Sequence, residues 1–162
     1  MQSKESPPAQ PVEAVIDAVL SASRVLVAVA ARSLSDIAEE VTLTQYRTLI
    51  VLASRGPQNL AGLAESVGVT PATATRMCDR LVKKELVARS EEQADRRHVH
   101  LTLTNKGLAL VAAVTKRRRH EIQKILNAIA PEERVVLVQA LSRFAAAAGE
   151  VPEQDWSTGW DL

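Results

Sequence analysis

The stretch Asn59-LAGLAESVGVTPATATRMCDRLVKKELVARSEEQADRRHVHLTL-Thr104 decides the fold. It divides into a short helical run, a corner at Val67-Gly68-Val69, a second helical run opened by Thr70-Pro71, and two short strands around a polar loop. Gly68 can take the positive φ that a sharp corner needs. Thr70 offers a side-chain oxygen as N-cap, and Pro71 falls at the first helical position, where a missing N–H costs nothing. This punctuation predicts a helix-turn-helix. The loop Glu91 to Arg97 lies between Leu86-Val87-Ala88-Arg89 and Val99-His100-Leu101-Thr102-Leu103, which predicts a β-hairpin wing with a basic tip at Arg96 and Arg97.

The second helix of the pair has two faces. Helical spacing puts Ala74, Met77, Cys78 and Leu81 inward and leaves Ala72, Thr73, Thr75, Arg76, Asp79, Arg80 and Lys83 outward. Small and polar residues at its start let such a helix approach the floor of a major groove, where Arg76 can reach a guanine edge or a phosphate. Basic residues on a helix are more often a solvated face. Here the preceding corner and the following wing favour the DNA reading.

Outward from this stretch the pattern is helical. Val15, Val19, Ala22, Leu26, Val29 and Ala30 recur at helical spacing between Val12 and about Ile37. Thr44 is expected to cap a helix from Gln45 to Ala53 with Leu49 and Leu52 inward, ended by Arg55-Gly56-Pro57. Thr104 is expected to cap a long helix from Asn105 to about Ala130. Pro131-Glu132-Glu133 opens a last helix to Ala148, stopped at Gly149. Residues 1–11 are rich in Pro, Ser and Gln and read as a disordered tail; residues 150–162 form a second tail carrying Trp156 and Trp160. The class is mainly α with a small antiparallel wing.

Composition sets bounds. The 162 residues suit one domain with an oligomerisation arm. Aromatics are only 2%, so the core must be aliphatic. A net charge of +1 means that any nucleic-acid surface comes from local clustering. One cysteine forbids an internal disulfide and points to a reducing cytoplasm. The start has no apolar signal region, and no apolar run is expected to reach the ~20 residues of a membrane span, since Arg24 and Arg32 bracket the Val- and Ala-rich stretch.

The residues and their order resemble the MarR family of winged-helix transcriptional regulators. Three pieces carry the likeness: Leu43-Thr44-Gln45-Tyr46-Arg47-Thr48-Leu49, then Val69 to Leu81, then Asp95-Arg96-Arg97 followed by Leu101-Thr102-Leu103-Thr104-Asn105-Lys106-Gly107. The last is the most specific. Glu85 departs from the pattern, because the family usually has Gly there; a non-Gly residue held left-handed costs on the order of 1 kcal/mol. The resemblance implies a winged helix-turn-helix lobe over 43–104 and a helical dimerisation arm from 12–37 and 105–149. It also implies that Arg97 enters the minor groove with Asp95 orienting the tip. The expected DNA-binding set is Thr70, Ala72, Thr73, Thr75, Arg76, Arg80, Asp95, Arg96 and Arg97. A small aromatic or other amphipathic effector would bind between arm and lobe, near Arg24, Ala28, Tyr46, Ile50 and Leu110. The implied protein is a cytoplasmic homodimeric repressor of double-stranded DNA, with a near-palindromic operator and no cofactor.

His98 and His100 share a strand face but lack a third ligand at metal spacing. Cys78 could make the protein a thiol redox sensor, although its phase is inward and it has no partner cysteine. A winged-helix module for a protein partner would leave the basic face solvated. No Ser-His-Asp set, phosphate loop or carboxylate pair supports an enzyme. The run Lys116-Arg117-Arg118-Arg119-His120 could be solvated, answer Asp36, Glu39 and Glu40, or touch DNA backbone.

Overall fold

The computed structural model describes residues 11–35, 41–92 and 95–157, with backbone alone at 91, 92 and 95–99. Its elements are α1 (Val12–Leu34), α2 (Leu43–Arg55), α3 (Leu60–Val67), α4 (Pro71–Lys83), β1 (Val87–Glu92), β2 (Asp95–Leu103), α5 (Asn105–Leu126) and α6 (Pro131–Ala147), followed by a 3-10 turn at Glu153–Asp155.

The helix starts follow capping chemistry. Thr42, not Thr44, caps α2: its hydroxyl accepts from Gln45 N–H while the Gln45 side chain accepts from Thr42 N–H. The reciprocal pair satisfies two otherwise orphaned donors and outcompetes Thr44 two residues on. Thr48 turns its hydroxyl back to Thr44 carbonyl. Asn59, Thr70 and Thr104 cap α3, α4 and α5. Gly68 takes the left-handed conformation that closes α3 and turns the chain into α4. Three helices end earlier than their apolar spacing implies: α5 stops at Leu126, α6 at Ala147 and α1 at Leu34. The segment from 36 to 40, with Asp36, Ile37, Glu39 and Glu40, lies outside the described residues, as do residues 1–10.

The wing is longer than its β-branched residues suggest. Backbone pairing extends β1 to Glu92 and draws Asp95, Arg96 and Arg97 into β2, so most of the loop expected over 91–97 is strand. Ladder hydrogen bonds do not depend on side-chain pattern, which is why a polar stretch can still pair. A short bridge joins the wing to the α2–α3 junction: Gln58 N–H donates to Leu101 carbonyl at 3.1 Å and Leu101 N–H to Gln58 carbonyl at 2.8 Å.

The core lies in the lobe. Leu49, Leu52, Leu63, Leu81, Leu86, Leu101, Val111 and Val114 are fully buried together. Burying each aliphatic side chain contributes about 1.5–3 kcal/mol. The arm is different. Of α1, only Val29, Ser33 and Leu34 are buried, and α6 buries nothing. Val15 and Leu26, two of the apolar residues recurring at helical spacing, are exposed, together with Ile16, Leu20, Val25 and Val27. Helix α1 is also long and apolar enough to cross a membrane by length and composition. That corrects the sequence expectation: Asp17, Arg24 and Arg32 are too widely spaced to break the apolar average.

The tail after α6 does not fray over its described part. Trp156 is half-buried against the lobe core, and Ser157 N–H donates to Ser54 carbonyl at 3.1 Å. Trp156 is thereby placed beside the end of α2. Trp160 lies outside the described residues.

Candidate DNA-binding interface and effector cleft

The pattern of α4 divides as its spacing requires. Ala74, Met77, Cys78 and Leu81 are buried, and Ala72, Arg76, Asp79, Arg80 and Lys83 are exposed. The threonines near its start are half-committed. Thr70 Oγ1 accepts from Thr73 N–H at 3.3 Å and meets Thr73 Oγ1 at 3.0 Å, while Thr75 Oγ1 donates to Pro71 carbonyl at 2.9 Å. These bonds hold the helix start in shape, with Ala72 exposed between them.

Arg76 and Arg80 border a shallow recess of about 260 Å³ between α4 and the start of α2, lined also by Thr42, Thr44, Gln45, Thr73 and Met77. Asp79 forms an ion pair with Arg89 of β1, tying α4 to the wing. The backbone of Asp95, Arg96 and Arg97 belongs to β2; their side chains lie outside the described residues, as does that of His98. Thr70, Ala72, Thr73, Thr75, Arg76 and Arg80 therefore share one helix, and the wing residues stand on a strand that α4 contacts through β1.

The base of the wing is held by a compact joint. Thr104 N–H donates to Leu86 carbonyl at 3.2 Å, Thr104 Oγ1 donates to Glu85 carbonyl at 2.6 Å, and Gly107 N–H donates to Thr104 Oγ1 at 3.0 Å. Glu85 has a φ of 60°, the only non-Gly residue with positive φ among those described. The strain anticipated there is present, and the hydrogen bond to its carbonyl helps to hold it.

Cys78 is fully buried, and burial pushes its thiol pKa up, with Asp79 adding to the rise and Arg89 opposing it. A raised pKa keeps the thiol protonated and poorly reactive. Among the described residues no group of three or more His, Cys, Asp or Glu could hold a metal ion.

A second feature lies between α1, α2 and α5. A cleft of about 340 Å³ is lined by Ser23, Leu26, Val27, Ala30, Leu43, Tyr46, Arg47, Ile50 and Arg118. Tyr46 and Ile50 were expected there. Arg24 and Ala28 are on α1 but exposed outside the cleft, Arg24 bonding to Ser21 Oγ, and Leu110 packs on the lobe core instead. Tyr46 is 3% exposed, yet its hydroxyl finds no partner of good geometry among the described residues, and neither does Nε of Arg118. Burial raises the Tyr46 pKa; its neighbours Thr115 and Arg118 oppose the rise. Arg118 was hidden in a charge run. Its signal was its phase: Val111, Val114 and Thr115 are buried on α5, and 118 continues that stripe.

The next residue of the run is engaged elsewhere. Arg119 bonds to Glu153 at 2.6 Å, and Arg32 pairs with Glu121 at 3.3 Å. Lys124 and Arg32 hold the Glu121 carboxyl below the usual range.

Comparison with known proteins is consistent across methods of matching. The family model described as "MarR family" matches residues 41–99. The HTH-type transcriptional repressor MdtR of Bacillus subtilis is 30% identical over 119 residues, 74% of this chain and 77% of that protein. The crystal structure of RV1404 from Mycobacterium tuberculosis is 43% identical, with a TM-score of 0.81 over 90% of this chain and 99% of that one. A structure of Bordetella bronchiseptica BpsR, described as showing regulation of its DNA binding by 6-hydroxynicotinic acid, is 28% identical with a TM-score of 0.62, covering 81% of this chain and 98% of its own.

Proposed function

Because the chain belongs to the MarR family, and is thus a DNA-binding transcriptional regulator and not an enzyme, we propose that it acts as a homodimeric, ligand-responsive repressor in the cytoplasm. The observation that carries the dimer is the open apolar surface of the arm. Val12, Val15, Ile16, Leu20, Val25, Val135, Val136, Val138, Leu141 and Phe144 are all exposed in the single chain. Apolar surface on that scale marks an interface, and a second copy covers it by pairing α1 and α6 across a two-fold axis. The same pairing accounts for the apolar length of α1 without a membrane.

In this reading α4 enters the major groove. Thr73, Thr75 and Arg76 approach base edges with Ala72, and Thr70 and Arg80 face the flanking phosphates. Arg96 and Arg97 carry the wing to the adjacent minor groove, where narrow-groove potential favours a guanidinium, and Asp95 orients them. Selection of bound sequences from a random duplex pool tests the proposal. The expected product is a near-palindrome with half-site centres about 10 bp apart. A single asymmetric half-site bound by one protomer overturns it.

The effector site proposed is the cleft at Tyr46 and Ile50, without Arg24, Ala28 and Leu110, which do not line it. Apolar walls flanked by Arg47 and Arg118 suit an amphipathic molecule carrying an acceptor group. The ligand named for BpsR supports small-molecule control as the mode.

A further inference from the structure

The segment after α6 is fastened back onto the chain at five points, three of them on α2. Gly149 carbonyl accepts from Arg55 Nη2 at 2.8 Å. Glu150 pairs with Arg47. Glu153 pairs with Arg119. Trp156 packs on the lobe core, its Nε1–H donating to Val151 carbonyl at 3.1 Å. Ser157 donates from its backbone to Ser54 carbonyl and from its hydroxyl to Ala53 carbonyl at 3.0 Å. The partners on α2 lie about a hundred residues earlier in sequence. They join the end of α6, in the arm, to α2, in the lobe.

One of the fastenings is shared with the cleft. Arg47 lines it, and its guanidinium is already held by the Glu150 carboxylate at the head of the strap. The two side chains are 37% and 40% exposed, so their attraction is screened and easily exchanged. We propose that Glu150 is an internal competitor: an amphipathic anion entering the cleft takes Arg47 from Glu150 and loosens the strap between α6 and α2. Ligand occupancy thereby becomes a change in how firmly the arm holds the lobe. The inference rests on the cleft being the effector site, and it identifies both the ligand charge and the segment that responds.

Physically, the exchange needs only one ion pair to swap partners. A ligand shifts an equilibrium by its differential affinity for the two states, and here the difference is the pair it must displace. Once Glu150 is released, the strap keeps its contacts with Arg55, Arg119, Ala53 and Ser54, but it is looser at Glu150 and water comes nearer the half-buried indole.

Trp156 makes the test direct. In a Trp160→Phe chain it is the only tryptophan. Benzoate serves as the anionic probe and benzyl alcohol as its neutral counterpart, each followed by calorimetry and by indole emission. Benzoate is expected to bind saturably and shift Trp156 emission to the red, while benzyl alcohol leaves it in place. Glu150→Gln, which removes the competitor, is expected to tighten benzoate binding by up to about fivefold, the worth of an exposed ion pair. Bound benzoate with unchanged Trp156 emission, an equal shift with benzyl alcohol, or an affinity unmoved by Glu150→Gln overturns the strap and leaves the cleft reading intact. Calorimetry showing that neither probe binds overturns the cleft reading, and the competition with it.

Discussion

The carbonyl oxygen of Leu86 occupies the place that a Cβ on Gly107 would need. Leu103 crowds the same position from the other side. The first turn of α5 therefore rests directly on the backbone that leads into β1. Thr104, which caps α5, bonds to both Leu86 and Glu85, so the glycine, the cap and the strand entry form one joint. Gly107→Ala forces that backbone apart. Overpacking of this kind costs about 1–3 kcal/mol, which predicts a lower melting temperature for the variant. An unchanged melting curve would show that the joint yields freely.

Glu85 makes the opposite case. Its left-handed backbone is strained, and glycine removes the Cβ penalty at the expense of some unfolded-state freedom. Glu85→Gly should stabilise the chain by up to about 1 kcal/mol, read as a higher urea midpoint at constant slope. Loss of stability would mean that the contact of Lys106 Nζ with the Glu85 carboxylate, 4.0 Å away, outweighs the strain.

Arg76 and Arg97 should fail differently on DNA. Arg76→Ala is expected to weaken binding by about 1–3 kcal/mol and relax one position of the half-site, if it reads a base. Arg97→Ala is expected to weaken all sequences alike and flatten the salt dependence. Arg76 is exposed, so its replacement should leave thermal melting in place. A steep fall in stability in the Arg76 variant would remove it from the DNA face.

The buried, protonated thiol of Cys78 predicts indifference to mild oxidants. Its pKa is raised by folding, so any stabilisation linked to it is present below the unfolded pKa and is lost as pH rises through the folded value. At neutral pH the native chain should react slowly with alkylating reagents and keep its DNA affinity in dilute peroxide. Peroxide that abolishes binding in the native chain, but not in Cys78→Ser, would establish thiol sensing.

Helix α6 offers a clean test of the dimer. Val138 and Leu141 are 63% and 50% exposed in the single chain, so charges there disturb no contact within it. Val138→Glu with Leu141→Glu should shift the protein toward monomer in sedimentation and weaken the operator complex, because linked binding of two half-sites is lost. A double variant that sediments as dimer would place the interface elsewhere.

Much of this was legible in the chain. Gly68, Thr70, Pro71 and the inward set of α4 are local signals, and each acts in the structure as its chemistry requires. The spacing from Leu101 to Gly107 was the strongest signature, and the crowding at Leu86 gives its steric reason. What was missed depends on distance in sequence. Two threonines compete to cap α2, and only the reach of Gln45 back to Thr42 decides between them. The strap carries no periodic pattern, because its partners, Arg47, Ala53 and Ser54, lie on a helix made a hundred residues earlier. Arg118 looked like one charge among five until the buried stripe of α5 placed it beside Tyr46.

The paired amides of Gln58 and Leu101 have a consequence for operator choice. They stitch the wing to the α2–α3 corner, while Asp79 and Arg89 stitch it to α4. The base of the hairpin that would read one groove is thereby set against both the α2–α3 corner and the helix that would read the next, so the two share one frame. Tolerance for operators of altered spacing must then come from bending of the arm or of the DNA. A base pair inserted between half-sites should be penalised far more than a substitution within one.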